Sequence, residues 1–352
     1  MEFLYDFGLF LLKAVTIVAA ILFVVGGIIN ASQRNKKNLN KTKPQGEIVL
    51  TNLTEKYQDM VSDLKQDLLP IYEAKAAEKA EKKAAKEKDK ADKEKAKSSE
   101  EPAHDRLFVL DFDGDIKASE VTNLREEISA ILSIATEGDE VLLRLESPGG
   151  MVHAYGLAAS QLRRIRDKNI PLTIAVDKVA ASGGYMMAVV ASKIVAAPFA
   201  VIGSIGVIAE LPNFNRLLRR MDVDYEQHTA GEYKRTLTLF GENTDQDREK
   251  FKEELEDTHV LFKEFITENR PELDIESVAT GEHWYGRRAL EKQLIDDIKT
   301  SDDIILDAVS HKEVFEVHYE IPKTLGEKLG MNLAEGLGNA VERLFTRFSR
   351  ID

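Results

Sequence analysis

Cysteine is absent from all 352 residues. Disulfides, thiolate nucleophiles and cysteine-bound zinc or iron–sulfur clusters are therefore excluded, while reducing and oxidising compartments both stay open. Basic residues are in deficit, Lys+Arg 48 against Asp+Glu 61, which leaves a formal net charge of −13. That balance opposes a general affinity for phosphate backbones, and no nucleic-acid motif offsets it, so no nucleic-acid partner is expected. Histidine stands at positions 104, 153, 228, 259, 283, 311 and 318, never in a setting that completes a serine triad. His153, just past a Gly-Gly pair, comes nearest and reads as a solvated loop residue. No pair of carboxylates lies beside the glycine turns described below, and no cofactor or metal is called for.

Long apolar runs are scarce, so the one at residues 9–29 stands out. Interrupted only by Lys13, it is long enough to cross a bilayer as a single helix. It is also long for a cleaved signal, and it lacks a small-x-small site at its end. The sequence thus divides into a transmembrane anchor at 1–32 and a juxtamembrane amphipathic segment with a charged Ala/Glu/Lys linker at 33–104. A folded domain at 105–300 and a C-terminal strand and amphipathic helix at 301–352 follow. The lipid bilayer is accordingly an expected partner. Arg34, Lys36, Lys37, Lys41 and Lys43 follow the span, so the positive-inside rule places the domain behind it in the cytoplasm. Residues 46–72 carry spaced apolar positions and read as an amphipathic helix, whereas 73–101 offer no face apolar enough to bury.

From Arg106 the pattern is strand, helix, strand, helix. Strands are expected at 107–112, 141–145, 172–176 and 194–196, and helices at 120–134 and 155–166. This alternation implies an α/β domain, a largely parallel sheet with right-handed crossovers. A second apolar stretch, 185–209, is broken by Pro198, Gly203 and Gly206 and reads as buried core, not as a second span. A long amphipathic helix is expected at 245–269, burying Phe251, Leu255, Phe262, Phe265 and Ile266. A further strand is expected at 314–321.

Two glycine turns carry the candidate chemistry. Ser147-Pro148-Gly149-Gly150 lies between a buried strand and a helix, where unpaired backbone N–H groups can stabilise an oxyanion; taken alone it is an ordinary Pro-Gly turn. Ala181-Ser182-Gly183-Gly184-Tyr185 repeats the arrangement after the third strand. Taken alone, Ser182 is a helix cap. A parallel sheet brings both turns to one carboxyl edge, so the amides of Gly149 and Gly183 can flank one carbonyl oxygen beside the Ser182 hydroxyl. A serine needs a base, and a buried lysine serves where no histidine does. Lys234, in Gly231-Glu232-Tyr233-Lys234-Arg235, is the candidate, although a surface role is the default for any single lysine.

In that order the motifs at 147–150, 181–185, 203–207 (Gly-Ser-Ile-Gly-Val) and 231–235 resemble the signal peptide peptidase A family of Ser-Lys proteases. The likeness covers roughly residues 105–300 and includes a closing motif at 281–289 followed by Leu294-Ile295-Asp296. It implies a ClpP/crotonase-like spiral fold with Ser182 as nucleophile, Lys234 as base, and Gly149 with Gly183 lining the oxyanion hole. It further implies a homo-oligomer, since a single unit of this kind must self-associate to be active. Expected substrates are membrane-associated peptides such as spent signal peptides. The expected location is the cell inner membrane with the catalytic domain on the periplasmic face, against the flanking charges. Two rival readings are a crotonase-type acyl-CoA enzyme, for which Glu146 has no obvious partner, and a catalytically silent membrane scaffold.

Overall fold

The structure, a computed structural model, describes residues 46–68 and 105–321. The expected span at 9–29, the Lys/Glu spacer and the last amphipathic segment lie outside the described residues. Among the described residues no helix is long and apolar enough to cross a membrane. One compact unit, Ile48–Tyr319, holds nearly all of them.

Its elements run β1 (Glu47–Asn52), α1 (Leu53–Leu68), β2 (Arg106–Asp113), α2 (Val121–Ile134), β3 (Glu140–Glu146), α3 (Val152–Asp167), β4 (Leu172–Val176) and β5 (Val179–Ala181). There follow α4 (Gly183–Ala188), β6 (Lys193–Ala196), β7 (Val201–Gly203), α5 (Asn215–Arg220), α6 (Asp245–Asn269) and α7 (Ile275–Val278). The chain continues through β8 (His283–Tyr285), α8 (Gly286–Glu291), β9 (Asp297–Ile298), α9 (Ser301–Val309) and β10 (Glu313–Glu320).

A seven-stranded sheet has the order β1-β10-β2-β3-β4-β6-β9, and every pairing from β10 to β9 is parallel. The parallel arrangement follows from the βα alternation, because each helical crossover returns the chain to the same end of the sheet. Leu142, Leu143, Leu172 and Ile174 are fully buried, as strands covered on both faces must be. One face packs on α2, α3 and α4 through Leu124, Ile128, Leu162 and Met187. The other packs on α1 and α9 through Leu53 and Ile305. Each such aliphatic side chain withdrawn from water contributes about 1.5–3 kcal/mol.

A second sheet, β5-β7-β8, is mixed: β5 and β7 are parallel, β7 and β8 antiparallel. Strands of three residues carry no periodicity, so this layer was not legible in advance. The stretch 185–209 is core, as expected; it divides into α4, β6 and β7. Residues 46–72 differ from expectation, since the first six described residues after Gly46 form edge strand β1 before the helix begins. A strand from each flanking segment, β1 and β10, completes the sheet.

Two helices begin on reciprocal caps. Thr244 accepts from the Asp247 amide at 3.2 Å while Asp247 accepts from the Thr244 amide at 2.9 Å, and Thr300 with Asp303 repeats the pattern ahead of α9. On α6 only Phe262 and Ile266 are buried. Phe251, Leu255 and Phe265, expected in the core, are half-buried, because little of this chain covers the first half of the helix. Behind the sheet, buried Arg270 donates to Asp296 Oδ1 at 2.7 Å and to the Gln293 carbonyl at 3.0 Å, tying the end of α6 to the turn before β9.

Candidate active site

The two glycine turns meet at Ser147. Its N–H donates to the Val179 carbonyl at 2.8 Å and its own carbonyl accepts from the Ala181 amide at 3.0 Å, so the chain after β3 runs as a one-residue bridge beside β5. One turn is thereby stitched to the strand that ends in the other, at the carboxyl edge of the sheet where the βα pattern placed both.

Ser182 occupies the N-terminal boundary of α4 but does not cap it: its side chain makes no capping hydrogen bond. Its backbone sits at φ 52, ψ −117, the geometry of the first central residue of a type II′ turn, a place glycine normally takes. A non-glycine residue held there costs of order 1–3 kcal/mol, and such strain gathers at functional sites. The Ser182 N–H donates to the Gly203 carbonyl at 2.8 Å, which pins the residue against the end of β7. Ser182 is half-buried, at the wall of a hollow of about 70 Å³ that Gly150, Gly183, Met186, Thr258 and Phe262 also line.

The amides around that hollow are not equivalent. Gly149 has φ +91, and a Cβ on it would lie 2.8 Å from Ser182 Cβ and 2.9 Å from the Gly183 nitrogen, so the turn closes on Ser182 only because residue 149 has no side chain. Its N–H, however, donates to Ser147 Oγ at 3.1 Å and is occupied within the turn. Among the described residues the N–H groups of Gly183, at the start of α4, and of Gly150 meet no acceptor, and both glycines line the hollow, whereas Gly149 does not. Of the two amides expected to flank the carbonyl oxygen, that of Gly183 borders the hollow, where the Gly150 amide lies beside it, and that of Gly149 is bonded within its turn.

Lys234 does not line the hollow. It is exposed, in a turn closed by its own N–H on the Gly231 carbonyl at 3.2 Å, and no hydrogen bond joins it to Ser182. The turn rests on α6, where the Tyr233 ring lies beneath Lys250 Nζ at 5.2 Å from the centroid. Lys250 precedes Thr258 by eight helix positions, about 12 Å along the axis. Segment 207–244 has only α5 as regular structure and leaves Ile208 80%, Leu217 52%, Met221 64% and Phe240 41% exposed. Exposed apolar side chains grouped in this way are a feature of interaction surfaces.

Three side chains at the site were not read as functional from the sequence, Phe262 among them having been placed only in the core. Thr258 and Phe262 come from a helix some eighty residues downstream, and Tyr155 lies in the first turn of α3, where the sequence marked only the start of a helix. Tyr155 is fully buried, donates to the Asp115 carbonyl at 2.8 Å and lies 2.6 Å from Ser147 Oγ. Burial raises its phenol above the ordinary range, keeping it protonated. Glu146, for which the sequence offered no second carboxylate, forms an ion pair with Lys178 at 2.8 Å and does not line the hollow.

Residues 2–162 match the family described as Peptidase family S49 N-terminal, and residues 164–315 match Peptidase family S49. The chain is 53% identical over 352 residues to Probable protease SohB of Haemophilus influenzae, covering 99% of this chain and 98% of that protein. It is 51% identical over 309 residues to Probable protease SohB of Buchnera aphidicola subsp. Schlechtendalia chinensis, covering 87% and 99%. A solved structure of a mutant 1510-N membrane-bound stomatin-specific protease in complex with a substrate peptide aligns at a TM-score of 0.40 and 15% identity, over 66% of this chain and 99% of that one.

Proposed function

This chain belongs to peptidase family S49 and is a peptidase; we propose that it is a serine endopeptidase whose nucleophile is Ser182 and whose general base is Lys234. The observation that carries the reading is the unpartnered Ser182 hydroxyl, held by a strained backbone beside the free Gly183 amide at the wall of a hollow. A cap would have spent that hydroxyl on the helix.

In the proposed reaction a neutral lysine amine takes the Ser182 proton as Oγ attacks the peptide carbonyl carbon. The N–H groups of Gly183 and Gly150 receive the oxyanion; one such donor is worth about 10²–10³ in kcat. The lysine returns its proton to the leaving amine, an acyl-serine remains, and water deprotonated by the same lysine releases the acid. The hollow is small and lined by Met186, Val207, Ile208 and Phe262, which suits a compact apolar substrate side chain.

Within one chain Lys234 neither lines the hollow nor bonds Ser182, and the segment that bears it exposes apolar side chains. A homo-oligomer in which this segment covers a neighbouring copy would remove those side chains from water and carry the amine to a serine in the same step. The proposed setting is the cell inner membrane, with residues 9–29 as single-pass anchor and the catalytic domain on the periplasmic face. The proposed substrates are peptides released near the bilayer, signal peptides among them, bound extended along a strand edge.

The test is covalent labelling of the purified full chain with a fluorophosphonate. Wild type should be labelled at Ser182, and both Ser182→Ala and Lys234→Ala should lose the label. An unlabelled wild type would remove the nucleophile from the proposal, and label persisting in Lys234→Ala would remove the base.

A further inference from the structure

Below the candidate nucleophile lies a buried pair of hydroxyls that the reaction as written does not use. Ser147 and Tyr155 are both fully buried, with Oγ and the phenol oxygen 2.6 Å apart. The directions of the hydrogen bonds follow from counting protons. Tyr155 spends its O–H on the Asp115 carbonyl, so Ser147 donates to Tyr155, and the Ser147 oxygen accepts from the Gly149 amide. The result is a chain of three bonds running from the Asp115 backbone, through two side chains, to the first glycine of the Pro-Gly-Gly turn. Buried polar groups joined in this way hold their geometry closely, because each member loses its partner if any one moves.

The same pair braces the second turn. A Cβ on Gly183 would overlap the Tyr155 ring, and one on Gly184 would lie 2.6 Å from the Ser147 carbonyl and 3.0 Å from its Cβ. On the opposite side a Cβ on Gly114 would lie 2.5 Å from both the Ser147 and Tyr155 oxygens. Three glycine backbones are therefore seated directly on two side chains, and two of them begin the helix that follows Ser182. Phe112 meets the Tyr155 ring edge-on at 6.3 Å between centroids.

We propose that Ser147 and Tyr155 act as positioning residues that fix the spacing of the Gly150 and Gly183 amides, and so set the width of the oxyanion hole. The inference rests on the proposed role of those amides in peptide hydrolysis. It goes further in assigning the tuning of the hole to a hydroxyl pair that never touches substrate. Displacing a donor by about 1 Å costs up to 10²-fold in rate, whereas ground-state binding of the peptide in the hollow does not depend on the pair.

The experiment compares the full-length wild type with Tyr155→Phe, Ser147→Ala and the double variant. Readouts are kcat and KM on a fluorogenic peptide that the wild type cleaves, rate of fluorophosphonate labelling at Ser182, and Tm. Tyr155→Phe removes one oxygen and keeps the ring on Gly183. The expected result is a ten- to hundredfold fall in kcat and in labelling rate for each single variant, with KM within about twofold. The double variant should be no worse than either single one, as members of one chain are not additive. A folded variant at wild-type kcat would overturn the proposal. So would a loss of activity that tracks a collapse in Tm or a matching rise in KM, since either is what a purely structural pair would give. A wild type that fluorophosphonate does not label would instead overturn the underlying serine-peptidase reading, which keeps the two failures distinct.

Discussion

The Ser182 N–H is 2.8 Å from the Gly203 carbonyl, and this bond locks the candidate nucleophile at a positive φ of 52°. The bond reaches across the small sheet, from the end of β5 to the end of β7, so the strain at residue 182 is imposed by strand pairing and not by any preference of serine.

That origin predicts an opposition between stability and activity. Ser182→Gly removes the clash of a side chain in the left-handed region and should stabilise the fold by about 1 kcal/mol while abolishing peptide cleavage. Ser182→Ala should be equally inactive without the gain. Urea midpoints of the two variants, measured in parallel, check this; equal midpoints would mean that the backbone at 182 stores no strain.

Activity should be recoverable from two dead variants. If Lys234 serves a neighbouring copy, mixing Ser182→Ala with Lys234→Ala under conditions that allow subunit exchange should restore cleavage. Random pairing would make about a quarter of the sites complete. A mixture as silent as its components would place the base within the same chain or on another residue.

Glu127 supplies a pH dependence. It is buried on α2, accepts from the Tyr319 amide at 2.8 Å with one oxygen and leaves the other without a partner. Burial pushes its carboxyl up to about 7, opposed by the Tyr319 hydrogen bond and by His318, whose Nδ1 lies 3.6 Å away, and reinforced by Glu120 and Asp111. A carboxyl raised in the folded state binds its proton more tightly there than in the unfolded chain. Its stabilising contribution is complete below about 4.5 and is lost as pH rises through about 7. Glu127→Gln should therefore match wild type below about pH 4 and exceed it at pH 8, by at most about 3 kcal/mol. Thermal melts of both proteins across this range decide it; parallel curves would mean that the group does not titrate in the window.

Arg270 ties the end of α6 to the turn before β9 through a buried ion pair with Asp296. Its guanidinium is buried against Asp296, whose second oxygen accepts from the Ile194 amide at 2.6 Å. The arginine holds the Asp296 carboxyl below its ordinary range in spite of burial. Arg270→Ala leaves a carboxylate in the interior without its cation and should destabilise by about 3–5 kcal/mol. Denaturant unfolding should register this, with Arg270→Lys falling between, because a point charge replaces a two-pronged donor.

Much of the scaffold was legible because its signals are local. The strand at Leu172–Val176 and the helix at Asp245–Asn269 fall where apolar runs and periodicity placed them, and the breaks at Pro198, Gly203 and Gly206 correctly divided the apolar stretch before residue 209. The three-residue strands β5, β7 and β8 escaped notice, since so short a run has no period to read and exists only because its partners are in place. Glycine spelled out both turns, but not which amide stays free: the Ser147 side chain, reaching two residues ahead, decides that.

By itself the sequence determined a βα succession, and hence a parallel sheet whose carboxyl edge gathers the two glycine turns, because helical crossovers permit no other return. It also placed Ser182 at a strand-to-helix boundary. Only tertiary structure decided that this serine would be barred from capping its helix, that Tyr155 and Ser147 would underpin the turns, and that Lys234 would lie out on an exposed apolar segment. Each of these depends on groups far apart in the chain, whose distances are set by how the layers pack and not by their neighbours in sequence.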